Sequence, residues 1–192
     1  MKNNKPTQPK NGFTLMEVLV VISIFVILIV LIFSIYILCQ KAYYVGDTKA
    51  EIDQNGRIAF DKITREIRQA KEIVTELPET NDNPANEIIF EDGHNVGEIN
   101  YIRYYLKNGA ELWRQIIFYY FDPPGQSVHV RWNSEDQSGD PPDSVISEDK
   151  LIAEYFQTLE FYQPNAINLY AELMKNNHHL YLTAKVFGRN LR

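Results

Sequence analysis

The sequence predicts an α+β fold in which a long N-terminal helix packs on antiparallel β-structure. Three observations predict it. Positions 18–39 form an apolar run without a charge, Gly or Pro, an apolar stripe at helical spacing follows it, and the second half alternates apolar and aromatic residues between turn signals. The chain has 192 residues, 45% of them hydrophobic, enough for one membrane helix and one modest globular domain.

The apolar run comes first. Its 22 residues, Val18 to Cys39, make a helix about 33 Å long, which matches the ~30 Å hydrocarbon core of a bilayer. A transmembrane helix is therefore expected over 13–40. A secretory signal peptide would have a shorter apolar core followed by a small-residue cleavage site, and neither is present. Lys2, Lys5 and Lys10 precede the run with no acid among them. By the positive-inside tendency they place the N-terminus in the cytoplasm and the chain after Cys39 on the other side. Cys39 is the single cysteine, so no intrachain disulfide can form, and it reads as an apolar filler of the span. Glu17 stands one position before the run. A carboxylate there is either hydrated at the interface or partnered.

Helical patterning continues beyond the span, over 41–76. Ile52, Ala59, Ile63, Ile67, Ala70 and Val74 recur at steps of seven, four, four, three and four, one stripe of an amphipathic helix expected to pack on a sheet. Asp53–Arg57 and Asp61–Arg65 are acid-first pairs at i,i+4. Gly46 and Gly56 are weak points where a bend or break is expected. Leu77-Pro78 and the polar residues Glu79–Asn86 end the helical region.

An antiparallel sheet domain is expected over 87–192. Its strands are Ile88–Phe90, Ile99–Leu106, Leu112–Phe121, a short Ser127–Trp132, a strand entering at Phe156, and the alternating runs Ile167–Met174 and Leu180–Val186. Asn108-Gly109 is a two-residue hairpin signal, and Asn176-Asn177 marks a second turn. Asp122-Pro123-Pro124-Gly125 breaks the third strand. Residues 133–149, with six acids and no base, read as a solvated polar loop.

Composition narrows the function classes. Formal net charge is −6, and without the three leading lysines 16 basic residues face 25 acidic ones, a formal −9. An acidic body is a poor match for a phosphate backbone, so no nucleic-acid partner is expected. His94, His129, His178 and His179 lack the spacing of a helical zinc pair, and one cysteine builds no thiolate site. No phosphate-binding loop, nucleophile elbow or dinucleotide fingerprint occurs. No catalytic residue, metal or cofactor is assigned, and no enzymatic activity is expected. In the acidic loop Asp136, Asp140, Asp143, Glu148 and Asp149 offer oxygens to calcium, but Pro141-Pro142 follow Asp140 where an EF-hand needs other residues. Tyr101, Tyr104, Tyr105, Tyr119 and Tyr120 fall in predicted strands, either as sheet packing or as a docking surface.

The segment Lys10-Asn11-Gly12-Phe13-Thr14-Leu15-Met16-Glu17-Val18-Leu19-Val20 closely resembles the processing site of type IV prepilins. The resemblance implies a leader over 1–12, cleavage by a prepilin peptidase between Gly12 and Phe13, and N-methylation of Phe13. It makes Glu17 the fifth mature residue. Its expected assembly role is to pair with the α-amino group of a neighbouring Phe13, which offsets the desolvation of both charges. The helix-then-sheet order is also similar to that family. Arg65-Glu66-Ile67-Arg68-Gln69-Ala70, the hairpin Tyr104–Arg114 and the ending Leu182-Thr183, Val186 and Arg189-Asn190 are most similar to J-type minor pseudopilins of type II secretion. A minor pilin or pseudopilin is implied, a filament subunit of a type II secretion or type IV pilus machine. Its partners would be other pilin-like subunits, the peptidase, the inner-membrane assembly machinery and the membrane. The sheet domain would be periplasmic or extracellular. The alternative is an exposed domain that itself binds an exported substrate or a surface.

Overall fold

The computed structural model describes residues 12–94, 98–121 and 128–188. The leader lysines and Asn11, the break Asp122–Gly125, Ser127 and the pair Arg189-Asn190 lie outside them. One α-helix and seven strands follow in order: α1 (Leu15–Gln69), β1 (Ile88–Glu91), β2 (Tyr101–Lys107), β3 (Glu111–Tyr120), β4 (Asp143–Glu154), β5 (Phe156–Tyr162), β6 (Ile167–Lys175) and β7 (His178–Val186). The chain divides into two compact units after Asp47.

In the first unit the apolar side chains of α1 are exposed from Leu15 through Val45. This stretch makes α1 long and apolar enough to cross a membrane. Its two serines are satisfied within the helix. Ser23 donates to the Leu19 carbonyl and Ser34 to the Val30 carbonyl, both at 2.8 Å, the local bonding that makes serine tolerable in an apolar span.

In the second unit α1 supplies one side of the core. Ile52, Ala59, Phe60, Ile63 and Ile67 are buried against two antiparallel sheets. The first sheet runs β1-β2-β3-β4 and the second β5-β6-β7. Ile88, Phe90, Ile102, Tyr104, Leu112 and Ala153 come from the first, and Phe156, Leu159, Phe161, Leu169, Ala171 and Leu173 from the second. Gly56 lets α1 approach the second sheet. A Cβ there would lie 2.6 Å from Leu182 Cδ1 and 3.2 Å from Leu180 Cδ2.

The α+β arrangement of a long helix on antiparallel sheets is as expected, and four details differ. First, α1 is helical through Gly46 and Gly56 without a break. Second, it stops at Gln69, before the predicted Ala70 and Val74. Residues 71–75 instead pair along β1: Lys71 N–H donates to the Glu91 carbonyl, Glu91 N–H to the Glu72 carbonyl and Val74 N–H to the Ile89 carbonyl. An open strand edge satisfies these backbone groups as well as another helical turn would. Third, residues 143–149 are not loop. They begin β4, which pairs with β3 from Tyr120↔Asp143 to Glu111↔Glu154 across two irregularities. Charge hid this strand, because an edge strand tolerates and even favours acids on its open side. Fourth, Ser127–Trp132 is not a strand within the described residues; Val130 makes an isolated bridge with Tyr119.

Both hairpin turns are in place. Asn176 and Asn177 have φ of 49° and 62° between Lys175↔His178, a two-residue loop of the primed type that matches strand twist. Asn108 and Gly109 have φ of 55° and 70°, but the loop runs through Ala110, since Lys107 pairs with Glu111. Ala110 is held by its carbonyl, which accepts from Phe156 N–H at 3.0 Å.

Candidate functional site

Gly12, Phe13 and Glu17 lie together at the open start of α1. A Cβ added at Gly12 would meet nothing within 4 Å, and Phe13 is 82% exposed. Among the described residues nothing covers the peptide between them. Thr14 starts the helix. Its Oγ1 accepts from Glu17 N–H at 3.3 Å, and its carbonyl accepts from Glu17 N–H at 3.1 Å and Val18 N–H at 3.3 Å. Thr-x-x-Glu is the capping-box spacing, and an acid in the first turn is favoured by the helix dipole. The spacing is legible in the sequence at Thr14-Leu15-Met16-Glu17. The chain that follows is uncharged as far as Gln40, so Glu17 is the one acid of α1 before Asp47.

The second unit holds charged clusters that sequence reasoning missed. The most buried joins helix and sheet. Arg114 Nε donates to Glu66 Oε2 at 3.0 Å, its Nη1 donates to Glu148 Oε2 at 3.0 Å, and Tyr104 OH donates to the same Glu66 oxygen at 2.7 Å. Burial, then the Glu66 carboxylate, pushes the Tyr104 hydroxyl well above its ordinary range. Glu66 belongs to α1 and Tyr104 and Arg114 to the β2–β3 hairpin, and the fold brings the three together. A second cluster ties Glu51 of α1 to the far end of β6. Tyr155 OH donates to Glu51 Oε1 at 2.6 Å, and Lys175 pairs with Glu51 and lies 4.4 Å over the Tyr155 ring. The Lys175 hydrogen bond, then that of Tyr155, holds Glu51 below its ordinary value. Tyr155 has a φ of 72°, a left-handed conformation unusual for a bulky residue, at the single-residue step from β4 to β5.

His94 pairs with Asp92 and His179, next to His178 on β7, with Glu172, while His129 stacks on Phe118 at 4.6 Å. Among the described residues no three His, Cys, Asp or Glu side chains gather as a metal site. Asp136 Oδ1 is occupied within its own loop, accepting from Ser138 N–H at 2.7 Å and Asp140 N–H at 2.9 Å. Of the five tyrosines, Tyr101, Tyr104 and Tyr120 are buried and Tyr105 and Tyr119 half-buried.

Comparison with known proteins bears on the N-terminus. Residues 8–33 match the family described as the prokaryotic N-terminal methylation motif. No curated protein and no solved structure matches the chain. The matched segment contains Gly12, Phe13 and Glu17 and the first half of the apolar helix. It supports a type IV pilin-like protein anchored by a single membrane span, with a structural rather than a catalytic role.

Proposed function

We propose that this chain is a minor pilin or pseudopilin, a subunit of a type II secretion or type IV pilus filament. The observation that carries the proposal is the coincidence of the methylation motif at 8–33 with an accessible Gly12–Phe13 peptide at the head of an exposed apolar helix. On this reading a prepilin peptidase cuts between Gly12 and Phe13 and Phe13 is N-methylated. The leader 1–12 stays cytoplasmic, and the sheet domain stands outside. Other pilin-like subunits and the inner-membrane assembly machinery are its partners.

Glu17 is the assembly residue. Leaving the bilayer for a filament core removes the Phe13 amino group and the Glu17 carboxylate from water. Pairing the amine of one subunit with the carboxylate of its neighbour offsets that cost. The test is Glu17→Ala in cells with an active peptidase, with leader cleavage and filament incorporation read separately. The proposal expects normal cleavage and no incorporation. Incorporation at the native level would sink it. Glu17→Gln separates charge from capping, because Gln also serves a capping box.

A further inference from the structure

The four edges of the two sheets are not alike. The β1 edge is covered by residues 71–75, and β5 is met by Ala85 at Phe161 and by Ala110 at Phe156. Among the described residues β4 and β7 have no strand beyond them. An uncovered edge invites another chain unless something blunts it. All nine residues of β7 lie in unbroken register with β6, whereas β4 is irregular at two places.

The two open edges carry opposite charge. Beside β7 runs a groove of about 660 Å³ lined by Asp61, Thr64, Arg65, Arg68, Gln69 and Phe187. Lys185 is exposed on the strand itself. The expected Asp61–Arg65 pair is not closed, and among the described residues Arg65, Arg68 and Lys185 make no ion pair. Arg65 and Arg68 thus face solvent beside the exposed Phe187, while Lys185 and Tyr181 are exposed on the outer face of β7. At the other edge, Glu135, Asp136, Asp140 and Asp143 lead into β4, on which the exposed Lys150 is the one cation among residues 132–154, and Ile146 and Leu151 are exposed beside them.

We propose that these edges are the two halves of one heterologous contact, in which the β7 edge of one copy docks the acidic β4 edge of the next. A second copy of this chain is the occupant because the chain itself carries the complementary charge and apolar anchors. Pairing β7 with β7 would instead set Lys185 beside a second set of cations. A head-to-tail contact leaves each added copy with an open edge of either sign, so it propagates. The proposal rests on the subunit reading for its setting, although the contact needs neither cleavage nor Phe13 methylation.

The test uses the full chain in detergent micelles, with association measured by sedimentation. Native protein is expected to associate with rising concentration, less so at high salt. The triple reversal Arg65→Glu/Arg68→Glu/Lys185→Glu should weaken association roughly tenfold or more, as should Glu135→Lys/Asp140→Lys/Asp143→Lys, because like charges then meet. Mixing the two triples, or combining all six changes in one chain, should restore it. Association unchanged in both triples overturns the proposal, and so does a loss that neither mixing nor the combined chain reverses. If a triple fails to fold, the single changes Lys185→Glu and Asp143→Lys are compared in the same way. An unprocessed N-terminus would contradict the subunit reading without altering these outcomes.

Discussion

Replacing Arg114 by Ala should cost the globular unit more than any other single charge removal. The Arg114 and Glu66 side chains are each 11% exposed, so both charges are largely withdrawn from water. Without the guanidinium, Glu66 keeps only the Tyr104 hydroxyl, and a stranded carboxylate of this kind costs about 3–5 kcal/mol. Tyr104→Phe removes one hydrogen bond to a charged group but leaves the ion pair, for about 1.5–3 kcal/mol. The double variant Glu66→Leu/Arg114→Met removes both charges, and it should lie close to wild type, since a buried pair contributes little over apolar packing. For a chain of this size each kcal/mol moves the melting temperature by about 2–4 °C, so Arg114→Ala should melt roughly 6–20 °C below wild type. The assay is thermal unfolding of the full chain in micelles, followed by near-ultraviolet circular dichroism. The reasoning is refuted if Arg114→Ala melts with wild type, or if the double variant falls as far as the single one.

Three further outcomes follow from the same structure. Gly93→Ala should lower the melting temperature sharply, because its Cβ would sit 1.9 Å from the Gln69 carbonyl oxygen, which is backbone; Gly56→Ala should be much milder, since its nearest contact is the movable tip of Leu182. The Tyr104 hydroxyl binds its proton more tightly in the folded state, so the stability it contributes is complete below its ordinary pKa of 10.0 and is lost as pH rises beyond that. Melting measured above pH 10 should therefore fall less steeply in Tyr104→Phe than in wild type. Glu51 is held below its ordinary 4.5, so its contribution is present above that pH and lost as pH falls beneath it. Lys175→Met, which removes the main cause, should flatten the acid limb of the melting profile.

Much of the fold was legible because its signals are local. The span needs only the residues between Val18 and Cys39, and the Asn-Asn and Asn-Gly turns announce themselves through a tolerance of positive φ. The prepilin-type motif is equally local, with Gly12, Phe13 and Glu17 inside six residues. What stayed hidden depends on neighbours. Asp143–Asp149 read as loop because its acids mask a strand that only β3 can define. Val74 kept helical spacing by coincidence, since the β1 edge that captures residues 71–75 lies further along the chain. Arg114 reaches Glu66 across 48 positions, and no pattern within either segment predicts the pair.

The most direct test of the prepilin reading is the mass of the mature N-terminus. Membranes from cells with an active prepilin peptidase should yield, by mass spectrometry, a protein that begins at N-methyl-Phe13 and lacks residues 1–12. A chain that keeps Met1 in those membranes would contradict the account.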